Sequence, residues 1–395
     1  MDRIAFVCQR YGAEVNGGAE LYCRLVAERL AETYEVTVYT TCALDYMTWA
    51  NAYAPGEETL NGVKIRRFPV KKERDKEAFD AISGRVLGGQ EHTDRDEQRW
   101  IDAQGPYCPE LLRTLEKEHR KYRVVFFMTY LYYLSARGLP MGFENAVLIP
   151  TTHDEPPVYI RHYDKVFSAA RGIVWLTPEE KNFAEKRFPA VRNKPCILTG
   201  GGTEEPEGPL PEIPEKIRGK RYLVYAGRID ESKGCGEMFD FFRRLKKERG
   251  GDLKLVLMGK AVMEVPEDPD IIPLGFVSEE TKFAVMREAW ALVLCSRFES
   301  LSMVVLESML EGRPVLVTAK CEVLKGHCVR SGAGLYFDNY AEFAECIRWM
   351  ENHPKEYRQM CLNGPRYVRE NYTWETITEK YRGLIGNFST QNVVD

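Results

Sequence analysis

The sequence predicts an α/β protein of two domains, each built on a doubly wound, Rossmann-like parallel sheet. Two observations carry the prediction. Short apolar or β-branched runs alternate with stretches of helical period from the N-terminus onward, and a glycine-bearing loop joins the first such strand to the first helix. The alternation stops at TEEPEGPLPEIPEKIRGKR (203–221), whose four prolines and five glutamates make a poor helix, a poor strand and a good linker, and it restarts beyond. A chain of 395 residues is long enough for two such domains.

In order, RIAFVC (3–8) is an apolar strand, AELYCRLVAERLAE (19–32) a helix and EVTVYTT (35–41) a β-branched strand, with QRYGAEVNGG as the loop between the first two. Residues 71–122 are charged and helical in composition, which predicts an inserted helical segment. RVVFFMTYL, NAVLIPTTHDEP and RGIVWLTPEE are apolar runs ending in polar or proline-rich residues, hence parallel strands with functional loops at their carboxyl ends. After the linker come YLVYAGR, a helix through EMFDFFRRLKKE, LKLVLMGK, DIIPLGFV, a further helix, ALVLCS and PVLVT. The expected boundaries are 1–203, 204–372 and a last helical segment, 373–395. A cleft between the two domains is the expected ligand site.

Composition narrows the function classes. With 44% apolar and 29% charged residues the chain is globular rather than disordered, and a net charge of −4 with mixed signs argues against a general nucleic-acid binder. Eleven cysteines without a C-x-x-C pair read as free thiols in a reducing, cytoplasmic setting. The first strand starts without a basic leader, so no signal peptide is expected. The most apolar stretch, VVFFMTYLYYLSA, falls short of the ~20 residues that span a bilayer, which leaves peripheral membrane contact open.

Two stretches carry chemistry. In YAGRIDESKGCGEM, Arg228 and Lys233 flank a short loop and Gly234 and Gly236 open a helix. Two cations and a helix N-terminus aimed at one point form an anion site, although the residue types alone also allow two solvated loop cations. In SRFESLSMVVLESML, Ser302 is the expected N-cap of a helix closed by Gly312, with Glu299 in the preceding loop and Glu307 more than a turn inside. Eight helical residues separate backbones by ~12 Å, against about 5–9.5 Å between the carboxyls of a glycosidase pair. Contacts to two parts of one long ligand therefore fit the two glutamates better, with one helix-entry glutamate and one solvated glutamate as the bland alternative. Cys321, His327 and Cys328 lack a fourth ligand, so no metal is expected. Tyr130, Tyr132 and Tyr133 either stack on a sugar or pack against the insert, and His162 and Tyr163 either line an acceptor pocket or lie on the surface.

Taken together, NGGAE, TTHDEP, LTPEEK, GR…KG, GFVSEE, the two glutamates and YTWETITEKY resemble, over nearly the whole chain, the retaining GT-B glycosyltransferases of family 4. The resemblance implies a GT-B fold, two Rossmann-like domains facing across a cleft, with the closing helix crossing back to the first. It implies a hexosyl transfer, of the kind used in polysaccharide biosynthesis, from a UDP- or GDP-linked sugar to a glycan, lipid-linked or small-molecule acceptor, by a front-face mechanism without a metal or a permanent cofactor. Arg228 and Lys233 would neutralise the leaving diphosphate, Glu299 would hold hydroxyls of the donor sugar, and Glu307 the ribose. Gly17 and Gly18 would allow close approach, His153 would meet the transferred sugar, and backbone at Phe276 and Val277 the base, with Gly259 nearby. Ser300, Leu301 and Ser302 complete the donor loop, and Tyr130, His162 and Tyr163 are the acceptor candidates. The chain departs from the family at Ser300, Leu301, Ser302, Met303 and Val304, where small or proline residues are frequent, for example Gly-Phe-Gly-Leu-Pro, and at GGGTEEP, where an Asn-Gly-Val-Asp-like turn is frequent. Alternatives are a silent nucleotide-sugar binding module or assembly partner, and a GT-B-like epimerase. A dinucleotide-dependent dehydrogenase is disfavoured because the first loop lacks G-x-G-x-x-G.

Overall fold

Continuous apolar runs demand cover on both faces, and the strands of the first unit obtain it by lying inside a parallel sheet. The computed structural model describes residues 1–15 and 17–388. It divides into one unit of Met1–Gly200 with the chain from Ile377 onward, and a second of Gly201–Thr376. In the first, β1 (Arg3–Val7) leads through the NGGAE loop, of which Asn16 lies outside the described residues, into α1 (Gly18–Leu30) and β2 (Glu35–Thr41). Next come β3 (Gly56–Leu60) and β4 (Val63–Phe68), then α2 (Lys76–Leu87), α3 (Asp94–Gln104) and α4 (Pro109–Glu118), which occupy the segment read as a helical insert. The unit continues with β5 (Val124–Met128), α5 (Tyr133–Gly138), β6 (Ala146–Ile149), α6 (His162–Ala169), β7 (Gly172–Trp175), α7 (Pro178–Arg187) and β8 (Cys196–Leu198).

These strands form one sheet in the order β3-β4-β2-β1-β5-β6-β7-β8, parallel except for the β3–β4 hairpin. Strand β3 had no apolar signal, because GEETL is exposed along most of its length. The hairpin turn is Asn61-Gly62, both with positive φ (48° and 81°), the geometry that asparagine and glycine favour. The insert is charged because only one side of each helix is covered. Trp100, Ile101, Leu111, Leu112 and Leu115 join the cluster that contains Phe127 and Leu148 of the sheet.

The second unit repeats the logic with β9 (Tyr222–Ala226), α8 (Cys235–Arg249), β10 (Lys254–Met258), β11 (Ile271–Gly275), α9 (Glu279–Glu288), β12 (Ala291–Leu294), α10 (Met303–Leu310), β13 (Val315–Thr318), α11 (Glu322–Ser331), β14 (Gly334–Phe337), α12 (Tyr340–Asn352) and α13 (Pro354–Asn371). Its sheet is wholly parallel, in the order β11-β10-β9-β12-β13-β14. The last helix, α14 (Trp374–Gly386), starts in the second unit, and its residues from Ile377 belong to the first. There Tyr381 is buried, with its hydroxyl 3.0 Å from that of Tyr22. Residues 389–395 of the expected C-terminal segment lie outside the described residues. Among the described residues no helix is long and apolar enough to cross a membrane.

Helix α10, which carries Glu307, is seated on α13 through a close backbone approach. A Cβ added to Gly364 would lie 2.6 Å from the carbonyl oxygen of Met309. The substitution Gly364→Ala should therefore destabilise the second unit by about 1–3 kcal/mol, an overpacking cost, read as a lower urea midpoint with an unchanged slope.

Candidate functional site

In the second unit the carboxyl ends of β9, β10 and β12 turn into loops that assemble one polar centre. The β9 and β10 ends lie backbone against backbone, since a Cβ on Gly259 would overlap the carbonyl oxygen of Gly227. Gly259 N–H also donates to the Gly275 carbonyl at 2.8 Å, which brings the loop bearing Phe276 and Val277 beside it. Phe276 is 70% exposed and Val277 half-buried.

Arg228 follows β9. Its Nε lies 2.9 Å from Asp230 Oδ2, and its carbonyl accepts from the Tyr225 hydroxyl at 2.7 Å. Burial works against the Asp230 carboxylate, but Ser232 and Arg228 together hold its pKa below the ordinary range. Lys233 ends this turn, and its Nζ meets Glu299 Oε1 at 2.7 Å. Gly234 then takes a left-handed φ of 71° directly under the Cys295 carbonyl, where a Cβ would lie 2.7 Å from the carbonyl carbon. Two residues far apart in sequence are thus joined beside the first turn of α8.

Ser302 corrects one expectation. It stands at the N-cap position of α10, yet its side chain makes no cap hydrogen bond. Its backbone is left-handed (φ 64°, ψ 75°) instead of extended, which turns the hydroxyl away from the first amides. The Ser302 carbonyl, not its hydroxyl, accepts from Val305 N–H at 3.1 Å. Its buried Oγ has no hydrogen-bond partner among the described residues. A left-handed φ of this kind is one that glycine adopts at no steric cost and serine seldom does. Leu301 and Ser300 lie buried and half-buried before it.

Glu307 is buried, with Lys282 Nζ of α9 2.9 Å from its Oε2. Burial pushes the Glu307 carboxyl above its ordinary value in spite of that cation. On the other side of the pair, burial opposes the Lys282 ammonium, but Glu307 and Glu279 hold its pKa above the ordinary value. Lys282 carried no distinguishing mark in sequence beyond its place in a helix after GFVSEE. His327 supports the same loop: its ring meets the Leu301 carbonyl (2.9 Å) and the Tyr367 hydroxyl (3.1 Å), and burial lowers its pKa to about 3. Among the described residues no group of three or more His, Cys, Asp or Glu could hold a metal ion.

In the first unit Gly17 caps α1 where a Cβ would lie 2.8 Å from Arg10 Nη2, whereas Gly18 has open space around it. The cause is a buried pair that sequence reading missed. Glu20 accepts from Arg10 Nη2 at 2.7 Å, Arg10 Nε at 2.9 Å and Gln9 Nε2 at 3.1 Å. A glutamate in the first turn of a helix, after a loop holding an arginine, was its only signal. His153 follows β6, with Nδ1 3.1 Å from Glu155 Oε1, an oxygen that also accepts from the Tyr130 hydroxyl at 3.0 Å.

The three acceptor candidates are corrected by burial. Tyr130, His162 and Tyr163 are 1%, 7% and 0% exposed, so they pack the interior and present no surface to an acceptor. The Tyr163 ring stands edge-on to Tyr130, with its hydroxyl donating to Leu131 O at 2.7 Å. His162 accepts at Nδ1 from Gln98 (2.9 Å) and meets Ala136 O through Nε2 (2.7 Å), and burial lowers its pKa. Each polar tip has an internal partner, which is how such residues come to be buried.

Two doubly wound units of this kind define the GT-B fold. Residues 210–366 match the model of the family described as Glycosyl transferases group 1, so the chain carries a glycosyl transferases group 1 domain. It is similar in fold to the UDP-forming α,α-trehalose-phosphate synthase of Burkholderia vietnamiensis (13% identity, 99% of this chain and 98% of that one, TM-score 0.71). It is also similar to sucrose-phosphate synthase from Thermosynechococcus elongatus (15%, 98% and 100%, TM-score 0.70) and to Anabaena HepE in complex with UDP and glucose (13%, 98% and 100%, TM-score 0.67). A relative in Xenopus tropicalis, glycosyltransferase 1 domain-containing protein 1, is 23% identical over 252 residues, 56% of this chain and 69% of that protein.

The Glu307–Lys282 pair makes a test with a defined sign in pH. Lys282→Met leaves the buried carboxylate without its cation, which raises the folded-state pKa further. A carboxyl raised on folding adds stability below its unfolded pKa and loses it as pH rises. The variant should lose about 3–5 kcal/mol near neutral pH, and the deficit should shrink toward pH ~4, as urea melts across that range would read.

Proposed function

We propose that this protein is a retaining glycosyltransferase that moves a hexose from a nucleoside-diphosphate sugar to a carbohydrate or lipid-linked acceptor. The observation that carries the reading is the Lys233–Glu299 pair at 2.7 Å, set between the first turn of α8 and the loop that opens α10. A cation held this way is preorganised for the charge that grows on a leaving diphosphate, and the carboxylate beside it suits sugar hydroxyls. Arg228, anchored through Asp230, is the second cation. The unpartnered, buried Ser302 hydroxyl is a donor suited to a phosphate oxygen. Glu307, kept beside Lys282, suits the ribose, and the Gly259 and Phe276–Val277 backbone the base.

In the reaction, the C1–O bond to the diphosphate breaks as the acceptor oxygen bonds to C1 from the same face. The acceptor proton passes to the departing phosphate oxygen, so nucleoside diphosphate and glycoside are the products. Arg228 and Lys233 stabilise the leaving charge, and His153 is assigned to the transferred sugar. UDP is the favoured nucleotide because one similar structure is of a UDP-forming synthase and another holds UDP and glucose. The intact cations and glutamates weigh against a silent binding module.

The first measurement is a thermal-shift screen with UDP, GDP, ADP and TDP. Saturation at 100 times Kd corresponds to about 2.7 kcal/mol of stabilisation. A shift with one nucleotide names the base, and no shift with any of them counts against the proposal. Arg228→Ala and Lys233→Ala should each lower transfer roughly 10²- to 10³-fold with the melting temperature unchanged. Wild-type turnover in either variant would sink the diphosphate assignment.

A further inference from the structure

Glu180 is a buried carboxylate that the proposed chemistry does not use. It is 2% exposed in the first turn of α7, and TPEE reads in sequence as an ordinary capping box. The Thr177 hydroxyl does accept from Glu180 N–H at 3.2 Å. The carboxylate, however, reaches past the helix. Its Oε1 accepts from Thr152 N–H at 2.6 Å and its Oε2 from Leu176 N–H at 2.7 Å. One side chain therefore ties the loop that follows β6 to the loop that follows β7.

The tie falls on a strained turn. Thr151 is β-branched and has φ +52°, a conformation such residues rarely adopt and that persists only where the surroundings over-determine it. Thr152, bonded to Glu180, is the next residue, and His153 the one after. His153 is also close enough for its charge to favour ionised Glu180. Burial pushes the carboxyl up to about 7 even so, with the amides of Leu176, Thr152 and Thr177 opposing it. No lysine or arginine forms an ion pair with it among the described residues, so the carboxylate is held by backbone donors.

We propose that Glu180 is a positioning residue: by accepting from Thr152 and Leu176 at once, it enforces the left-handed Thr151 turn and thereby sets the orientation of His153. The inference rests on the assignment of His153 to the transferred sugar. Both carboxylate oxygens face N–H donors, so an amide cannot replace the carboxylate. Whichever way glutamine turns, its NH2 opposes one of the two backbone donors.

The test compares wild type, Glu180→Gln, His153→Ala, their double variant, and Glu180→Gln combined with Thr151→Gly. In Glu180→Gln, kcat should fall about 10- to 100-fold, as for a misplaced reacting group, with the donor KM within about twofold. In the His153→Ala background the same change should have little further effect. Thr151→Gly accepts the left-handed turn without a Cβ penalty and should recover much of the loss. It also preserves the comparison if Glu180→Gln alone folds poorly. By NMR, the His153 ring C–H signal should move in Glu180→Gln while the other histidine signals hold. An unchanged kcat, full additivity with His153→Ala or an unmoved His153 signal overturns the proposal. If the wild type turns over no nucleotide sugar, the transferase reading fails, and the His153 signal alone decides whether Glu180 positions it.

Discussion

The approach of Gly234 to the Cys295 carbonyl is the constraint on which the polar centre of the second unit depends. Only a residue without a Cβ fits there, and only a left-handed φ lets the chain pass from the Lys233 turn into α8. The consequence is that the β9 loop lies against the β12 loop, which lets Lys233 reach Glu299 at 2.7 Å. A bulkier residue would force the loops apart and leave a cation and a carboxylate without each other. The geometry of the site is thus a backbone property before it is a side-chain one.

Buried carboxylates recur at the loops of both units, and each is made tolerable differently. Glu20 is held by Arg10 and Gln9, so a cation supplies most of the compensation. Glu307 has Lys282, but burial still outweighs the attraction on the carboxylate side. Glu180 has backbone amides, and burial carries it to about 7. In each case the carboxylate joins two segments: Glu20 ties α1 to the loop after β1, Glu307 ties α10 to α9, and Glu180 ties the loops after β6 and β7 to each other.

The alternation of apolar runs and helical periods was enough to read two α/β domains, because parallel strands covered on both faces must be apolar throughout. Arg228 and Lys233 stood out in sequence as cations at a strand end, and Glu299 and Glu307 as glutamates around a helix entry, but residue types alone also allowed solvated side chains, and only the family resemblance joined the four into one site. Strand β3 was not read, since GEETL is exposed and polar and shows no hydrophobic period. Tyr130, His162 and Tyr163 were misassigned for a different reason. Aromatic rings with a polar tip serve equally at surfaces and in cores, and only an internal partner for the tip decides between them.

By itself the sequence determined the alternation of the central strands and helices, the linker composition and the identities of the charged residues at the loops. These follow from local periodicity and from chemistry that each residue carries alone. Tertiary structure alone decided the pairings: Lys233 with Glu299, Lys282 with Glu307, Arg10 with Glu20, and Glu180 with two backbone amides. It also decided that Ser302 adopts a left-handed conformation and caps nothing with its hydroxyl. The physical reason is that an ion pair depends on distance through space, and distance is set by how the sheet brings its strand ends together, which no local pattern of residues records.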